Sequence, residues 1–174
     1  VVRLVGSEMC IRDSVYSGLD ADTIQDDKFE YLQKTLRIIS GYYGILRPFD
    51  KILPYRLEMG TRLENENGNN LYKFWGDKIT DVLNDDIEDN DIVVNLASDE
   101  YFKSINKEKL NAEIITPVFK EFKNDSYKVI AIYAKKARGL MSRFLIERKS
   151  KNVDDIKLFN TCLLYTSPSP RDGL

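Results

Sequence analysis

Seven of the residues between Lys135 and Lys151 are basic: Lys135, Lys136, Arg138, Arg143, Arg148, Lys149 and Lys151. One, Glu147, is acidic. Such a cluster suits phosphate, which Arg grips with two parallel donors and Lys meets as a point charge. On a helical wheel of about 100° per residue, Ala137, Leu140, Met141 and Phe144 share one face, expected to pack on a sheet. Lys135, Lys136, Arg138, Arg143 and Lys149 share the other. Gly139 and Ser142 fall between these cations, where small side chains would let a phosphate backbone come close. Gly within a helix costs about 1 kcal/mol relative to Ala, so Gly139 implies a packing or a ligand reason. A solvated helix face carries the same charges, and charge alone does not separate the two readings.

A second constellation is "RPFDKILPYRLEMGTRL", residues 47–63. Arg47, Asp50, Arg56, Glu58 and Arg62 stand among Pro, Tyr and Leu. An ion-pair network and a phosphate site both use Arg in this way. A third is "NLASDEYF", in which Asn95, Ser98, Glu100 and Tyr101 mark a strand end leading into a helix start. Such a place can hold an anion, and a plain capped helix looks the same. If the chain were an enzyme on a nucleotide or other phosphorylated substrate, Arg56, Glu58, Asn95, Glu100 and Lys135 would form the pocket, with Glu58, Glu100 and Lys135 as acid/base candidates. The run "NDDIEDND" (84–91) has five acids and no base. Its Asp85, Asp86, Glu88 and Asp89 are an oxygen cluster to weigh for iron, and a solvated loop reads identically.

Hydrophobic spacing and turn residues mark the elements that position these side chains. Phe29, Leu32, Leu36 and Ile39 have helical spacing over 26–39, with Asp26 and Asp27 at the start and Gly41 as the stop. Residues 40–70 hold four Gly and two Pro and read as irregular, with a short helix at 44–53 as the alternative. An ordered irregular stretch that long is often functional. "LYKFWGDKITDVLN" (71–84) is one amphipathic helix. Residues 91–97, 112–119 and 127–134 are apolar runs expected as strands, with a turn at 123–126. Ser98 is placed to cap a helix, and 135–150 is the last long helix. The fold class is mixed α/β (α+β), in a single domain.

The 174 residues carry 26 Lys and Arg, 28 Asp and Glu, and no His. Lacking His removes the commonest general base and transition-metal ligand. No Gly-rich phosphate loop, metal-ligand spacing or nucleophile elbow is present, so no cofactor and no metal site is expected. No apolar run approaches the roughly 20 residues that span a bilayer. The first residues lack a basic stretch followed by an apolar core, so no signal peptide is expected.

The two ends read differently. Cys162–Asp172, "CLLYTSPSPRD", is the translation of a DNA string that resembles a transposase adaptor from sequencing libraries. The opposite strand of that string yields Leu4–Asp13, "LVGSEMCIRD". Residues 1–14 and 161–174 are therefore expected to be adaptor-derived, which leaves 15–160 as a partial domain truncated at both ends. Residues 15–160 contain no Cys, so disulfide and thiol chemistry are not expected there. Without Arg3, Arg12 and Arg171, and without Glu8, Asp13 and Asp172, residues 15–160 keep 23 basic and 25 acidic side chains.

"SGYYGILRPFDKILPYRLEMGTRLEN", "LYKFWGDKIT", "NLASDEYFKS", "LNAEIITPVF" and "YAKKARGLMSRF", in that order, resemble the YaaA family of bacterial peroxide-stress proteins. The resemblance covers 15–160 without large gaps. It implies a cytoplasmic protein that protects against hydroperoxide and lowers unincorporated iron. It also implies sequence-tolerant binding of double-stranded DNA through a basic cleft and a helix-hairpin-helix element, with no membrane partner, as a monomer and more a binder than an enzyme. Lys135, Lys136, Arg138 and Arg143 would meet phosphates, with Arg47, Arg56 and Arg62 lining the same cleft and Asn95, Ser98 and Tyr101 in a pocket. A helix at 28–39, the turn "SGYYG" and residues 45–53 have the outline of the hairpin element, although Pro48 interrupts its second helix.

Overall fold

A computed structural model of the chain describes residues 15–123 and 125–159. The stretches read as adaptor lie outside the described residues. In chain order the elements are α1 (Val15–Leu19), α2 (Phe29–Thr35), β1 (Ile38–Ser40), β2 (Gly44–Leu46), α3 (Leu71–Trp75), α4 (Lys78–Asp86), β3 (Ile92–Val94), α5 (Asp99–Phe102), β4 (Glu113–Ile115), β5 (Glu121–Lys123), β6 (Ser126–Lys128), α6 (Ala131–Arg148) and α7 (Val153–Lys157). Single 3-10 turns at Ala21–Thr23 and Asp26–Lys28 precede α2. The composition is the mixed α/β one expected. The described residues divide into two compact units, 25–117 and 15–24 with 118–159.

In the unit 25–117, the expected helix at 26–39 stops early. Leu36 is already extended (ψ 134°), and Ile38–Ser40 pairs antiparallel with Gly44–Leu46. The segment "SGYYG" is thus the tip of a β-hairpin. This overturns its placement as a helix-hairpin-helix turn and the short helix at 44–53. The β-branched Ile38, Ile39 and Ile45 favour strand over helix here. Gly44 sits at φ +77°, and a Cβ there would meet the Trp75 ring at 2.7 Å. Trp75 in turn donates its Nε1–H to Gly41 O at 3.1 Å.

Residues 47–70 form no helix, as expected, and side chains pin them in place. Ser40 Oγ and Tyr55 OH share a hydrogen bond of 2.5 Å. Leu53 N donates to Tyr43 OH (2.9 Å), and Phe49 N donates to Gln33 Oε1 (3.0 Å). Met59, wholly buried, enters the core with Leu71, Ile79, Phe102, Ile105 and Leu110. Burying a Leu- or Met-sized side chain is worth about 1.5–3 kcal/mol, so the loop is held by its own apolar anchor.

The single helix expected at 71–84 is two. Asn70 caps α3 by accepting from Lys73 N (2.9 Å), and Gly76, at φ +51°, ends it. With ψ −125° this is a positive-φ conformation that Gly adopts at little steric cost. The apolar runs at 91–97 and 112–119 supply β3 and β4, paired parallel with Ile92 opposite Glu113 and Val94 opposite Ile115. Ser98 occupies the N-cap position of α5 without a side-chain capping bond.

In the other unit, the run 127–134 is strand only at its start and helix at its end. Glu121–Lys123 and Ser126–Lys128 make an antiparallel hairpin with Asp125 left-handed (φ 56°), and the chain is helical from Ala131 onward. The β-branched stretch "VIAIYA" misled, because the helix already starts within it. The long helix α6 is as expected, but its buried stripe packs on α1 and not on a sheet. Ala134, Ala137, Gly139, Met141, Ser142 and Ile146 are buried. The side chain of Phe144 meets Phe159 edge-on at 5.5 Å.

Candidate nucleic-acid interface

Gly139 and Ser142 do not lie among exposed cations. Gly18 of α1 crosses α6 at Gly139, and a Cβ on Gly139 would fall 2.8 Å from Gly18 Cα and 2.8 Å from Leu19 N. A Cβ on Gly18 would fall 2.9 Å from Leu140 N. The two glycines let helix backbones touch. Gly139 therefore serves packing, which corrects the idea that it opens a path for phosphate. Ser142, also buried, donates its hydroxyl back to Arg138 O at 3.1 Å.

Arg143 turns to the end of α1. Its guanidinium donates to Asp20 O (2.9 Å), Leu19 O (3.3 Å) and Thr23 Oγ1 (2.5 Å), and its Nε–H to Glu147 Oε1 (2.7 Å). The last carbonyls of a helix have no partner within it. Arg143 supplies a donor to Leu19 O and adds one to Asp20 O, with a side chain only 22% exposed.

Three further cations of the cluster stand in the first half of α6. Lys135 and Lys136 are exposed and Arg138 is half-buried; among the described residues none of the three makes an ion pair. Ile130, the N-cap residue, offers no capping side chain, and the first turn holds no acid. Cations near a helix N-terminus oppose its dipole. An anion there would meet uncapped N–H groups and lysines together.

The charges of the other unit are more committed. Arg37 donates through Nε and Nη2 to Asp86 Oδ2, both at 2.8 Å, while Arg47 Nη2 reaches Asp86 Oδ1 at 2.6 Å. Burial alone would raise the Asp86 carboxyl; the two guanidiniums outweigh it and hold it below the usual carboxylate range. For Arg47 the ion-pair reading is the one realised. Arg37, in "TLRII", had no motif to announce it. Arg56 and Arg62 are exposed and, among the described residues, in no ion pair.

The acid/base candidates belong to two units, and each has its own local setting. Glu100 Oε1 accepts from Gly60 N at 2.8 Å and so clamps the loop. Glu58 is exposed, and its backbone carbonyl accepts from Thr61 N at 3.1 Å. Asn95 is buried, with its amide on Thr116 Oγ1 and its oxygen on Ala97 N. Ser98 is half-buried at the start of α5, and Tyr101 packs against the core cluster. Lys135 belongs to the other unit. In the acidic run, Asp86 is taken by arginines and Glu88 pairs with Lys34 at 3.3 Å. Among the described residues no three Asp or Glu gather to hold a metal.

A family profile described as "Peroxide stress protein YaaA" matches residues 13–168. The chain belongs to the YaaA family. Relatives of this YaaA-family chain include UPF0246 proteins of Aliivibrio fischeri strain MJ11 and of Shewanella sp. strain ANA-3. The first is 54% identical over 152 residues, covering 86% of this chain and 59% of the relative. The second is 51% identical over 158 residues, covering 90% and 62%. The chain thus spans about three fifths of the length of the curated relatives it matches. No helix among the described residues is long and apolar enough to cross a membrane.

Proposed function

We propose that this YaaA-family protein meets peroxide stress by binding double-stranded DNA, with the start of α6 as a phosphate-contacting surface. The observation that carries the reading is the pair Lys135 and Lys136. They are exposed and unpaired among the described residues, one turn after an uncapped helix start. Arg138 adds a third cation on the same helix, and Arg56 and Arg62 add exposed charge on the unit 25–117. Arg143 and Arg47 serve as internal supports, because both guanidiniums already have partners. Contacts of this kind position a duplex without reading its bases.

Limiting iron damage follows indirectly in this reading. Lysine ammoniums on the phosphates compete with ferrous ions for the same oxygens, so bound protein keeps iron off DNA in the cytoplasm. The test compares duplexes of unrelated sequence by fluorescence anisotropy. Wild type binds them with similar affinity. Lys135→Ala with Lys136→Ala weakens all of them alike, and also loses protection of plasmid DNA from nicking by ferrous iron and peroxide. Equal affinity of the double variant and wild type would refute the assignment.

A further inference from the structure

The parallel pair β3–β4 ends beside a groove of about 520 Å³, within the size range of small-molecule sites. In open α/β sheets ligands sit outside the carboxyl ends of the strands, and the groove lies at that end of this two-stranded pair. Asn95 and Thr116, the first residues after these two strands, line this groove. Asn95 is 7% exposed, and its side chain is held in place at both ends. Its Nδ2 donates to Thr116 Oγ1 at 3.3 Å, and its Oδ1 accepts from Ala97 N at 3.1 Å. Each amide atom keeps one further valence: a second N–H on nitrogen and a second lone pair on oxygen. Thr116, exposed and accepting from Asn95, keeps its own O–H to donate.

Phe102 and Ile105, 6% and 4% exposed, supply an apolar wall. The rim carries two carboxylates, Asp99 and Glu108, against two ammoniums, Lys103 and Lys107, so it has no net charge. Lys103 lies over the Tyr72 ring and Lys107 over the Phe102 ring, at 5.2 and 5.3 Å. Nothing in this balance selects a phosphate. A flat, uncharged ligand with a donor and an acceptor side by side on one edge fits the amide, the hydroxyl and the apolar wall.

We infer that this groove is a nucleoside site, in which Asn95 reads the edge of a nucleobase. A carboxamide pairs with adenine through adjacent donor and acceptor atoms. Phe102 and Ile105 flank the ring, and Asp99 and Glu108 accept from sugar hydroxyls. The inference is independent of the DNA surface on α6, because the ligand needs no phosphate.

The test is titration of the isotope-labelled protein with adenosine, followed by amide NMR. Saturable shifts are expected at Asn95, including its side-chain amide, and at residues around Thr116. Thr116→Val, a change at an exposed residue, should weaken binding about three- to tenfold, the loss of one hydrogen bond. Asn95→Ala should abolish binding, and the Lys135→Ala, Lys136→Ala variant should bind adenosine as wild type does. Shifts that appear equally with ribose, shifts outside residues 95–116, no saturation, or an unaltered Thr116→Val variant would each overturn the proposal.

Discussion

Gly18 and Gly139 face each other where α1 crosses α6, and neither position has room for a Cβ. The obstacles are backbone atoms, Gly18 Cα, Leu19 N and Leu140 N, which cannot rotate aside as a side chain would. Gly139→Ala should therefore destabilise the protein by about 1–3 kcal/mol, the usual cost of overpacking. Ala as an intrinsic helix former returns roughly 1 kcal/mol at most. The measurement is the midpoint of urea unfolding; a variant as stable as wild type would show that the helices do not touch there.

Arg143 makes a second, separable contribution to the same junction. Removing it takes a charged donor from the carbonyls of Leu19 and Asp20 and from the Thr23 hydroxyl, although Asp20 O keeps Thr23 N and Thr23 Oγ1 as donors. Hydrogen bonds to charged groups are worth about 1.5–3 kcal/mol each way. Arg143→Ala should lower stability by that order, and Arg143→Lys should recover only part, since one ammonium cannot span acceptors set for a planar fork. Thermal unfolding of the three proteins ranks them; a Lys variant equal to wild type would contradict the fork geometry.

Asp86 links the hairpin to α4 through Arg37 and Arg47. Its carboxyl titrates below its ordinary value in the folded state. A depressed carboxylate stabilises the fold at pH above its unfolded value of about 3.9, and that stabilisation is lost as pH falls through it towards the folded value. Asp86→Asn should cost roughly 1.5–3 kcal/mol at neutral pH, less for the half-exposed Arg47 arm. The difference from wild type should shrink as pH falls below about 4. Chemical denaturation from pH 7 to pH 3 checks this; a gap independent of pH would remove the ion pair as the cause.

Much of this arrangement was legible from residue types. The long helix over 135–150, the irregular character of most of 40–70, the two strands around Val93 and Ile114 and the family itself all follow from pattern and motif. What escaped depends on partners remote in sequence. Gly139 looks the same on a wheel whether a phosphate or Gly18 sits above it. Arg143 looks the same as Lys136 until Asp20 and Thr23, over a hundred residues away, are placed beside it. The hairpin at "SGYYG" hid because Leu36 and Ile39 continue a helical spacing that the β-branched run from Ile38 abandons. Arg37 and Asp86 are 49 residues apart, and nothing local to either announces the pair.

The salt dependence of DNA affinity tests the central claim most directly. Each phosphate contact contributes about 0.9 to the slope of log affinity against log salt concentration. Replacing both Lys135 and Lys136 by Ala should flatten that slope by roughly two, with unfolding midpoints unchanged because both side chains are exposed. Unaltered slopes in that double variant would contradict a phosphate-contacting role for the start of α6.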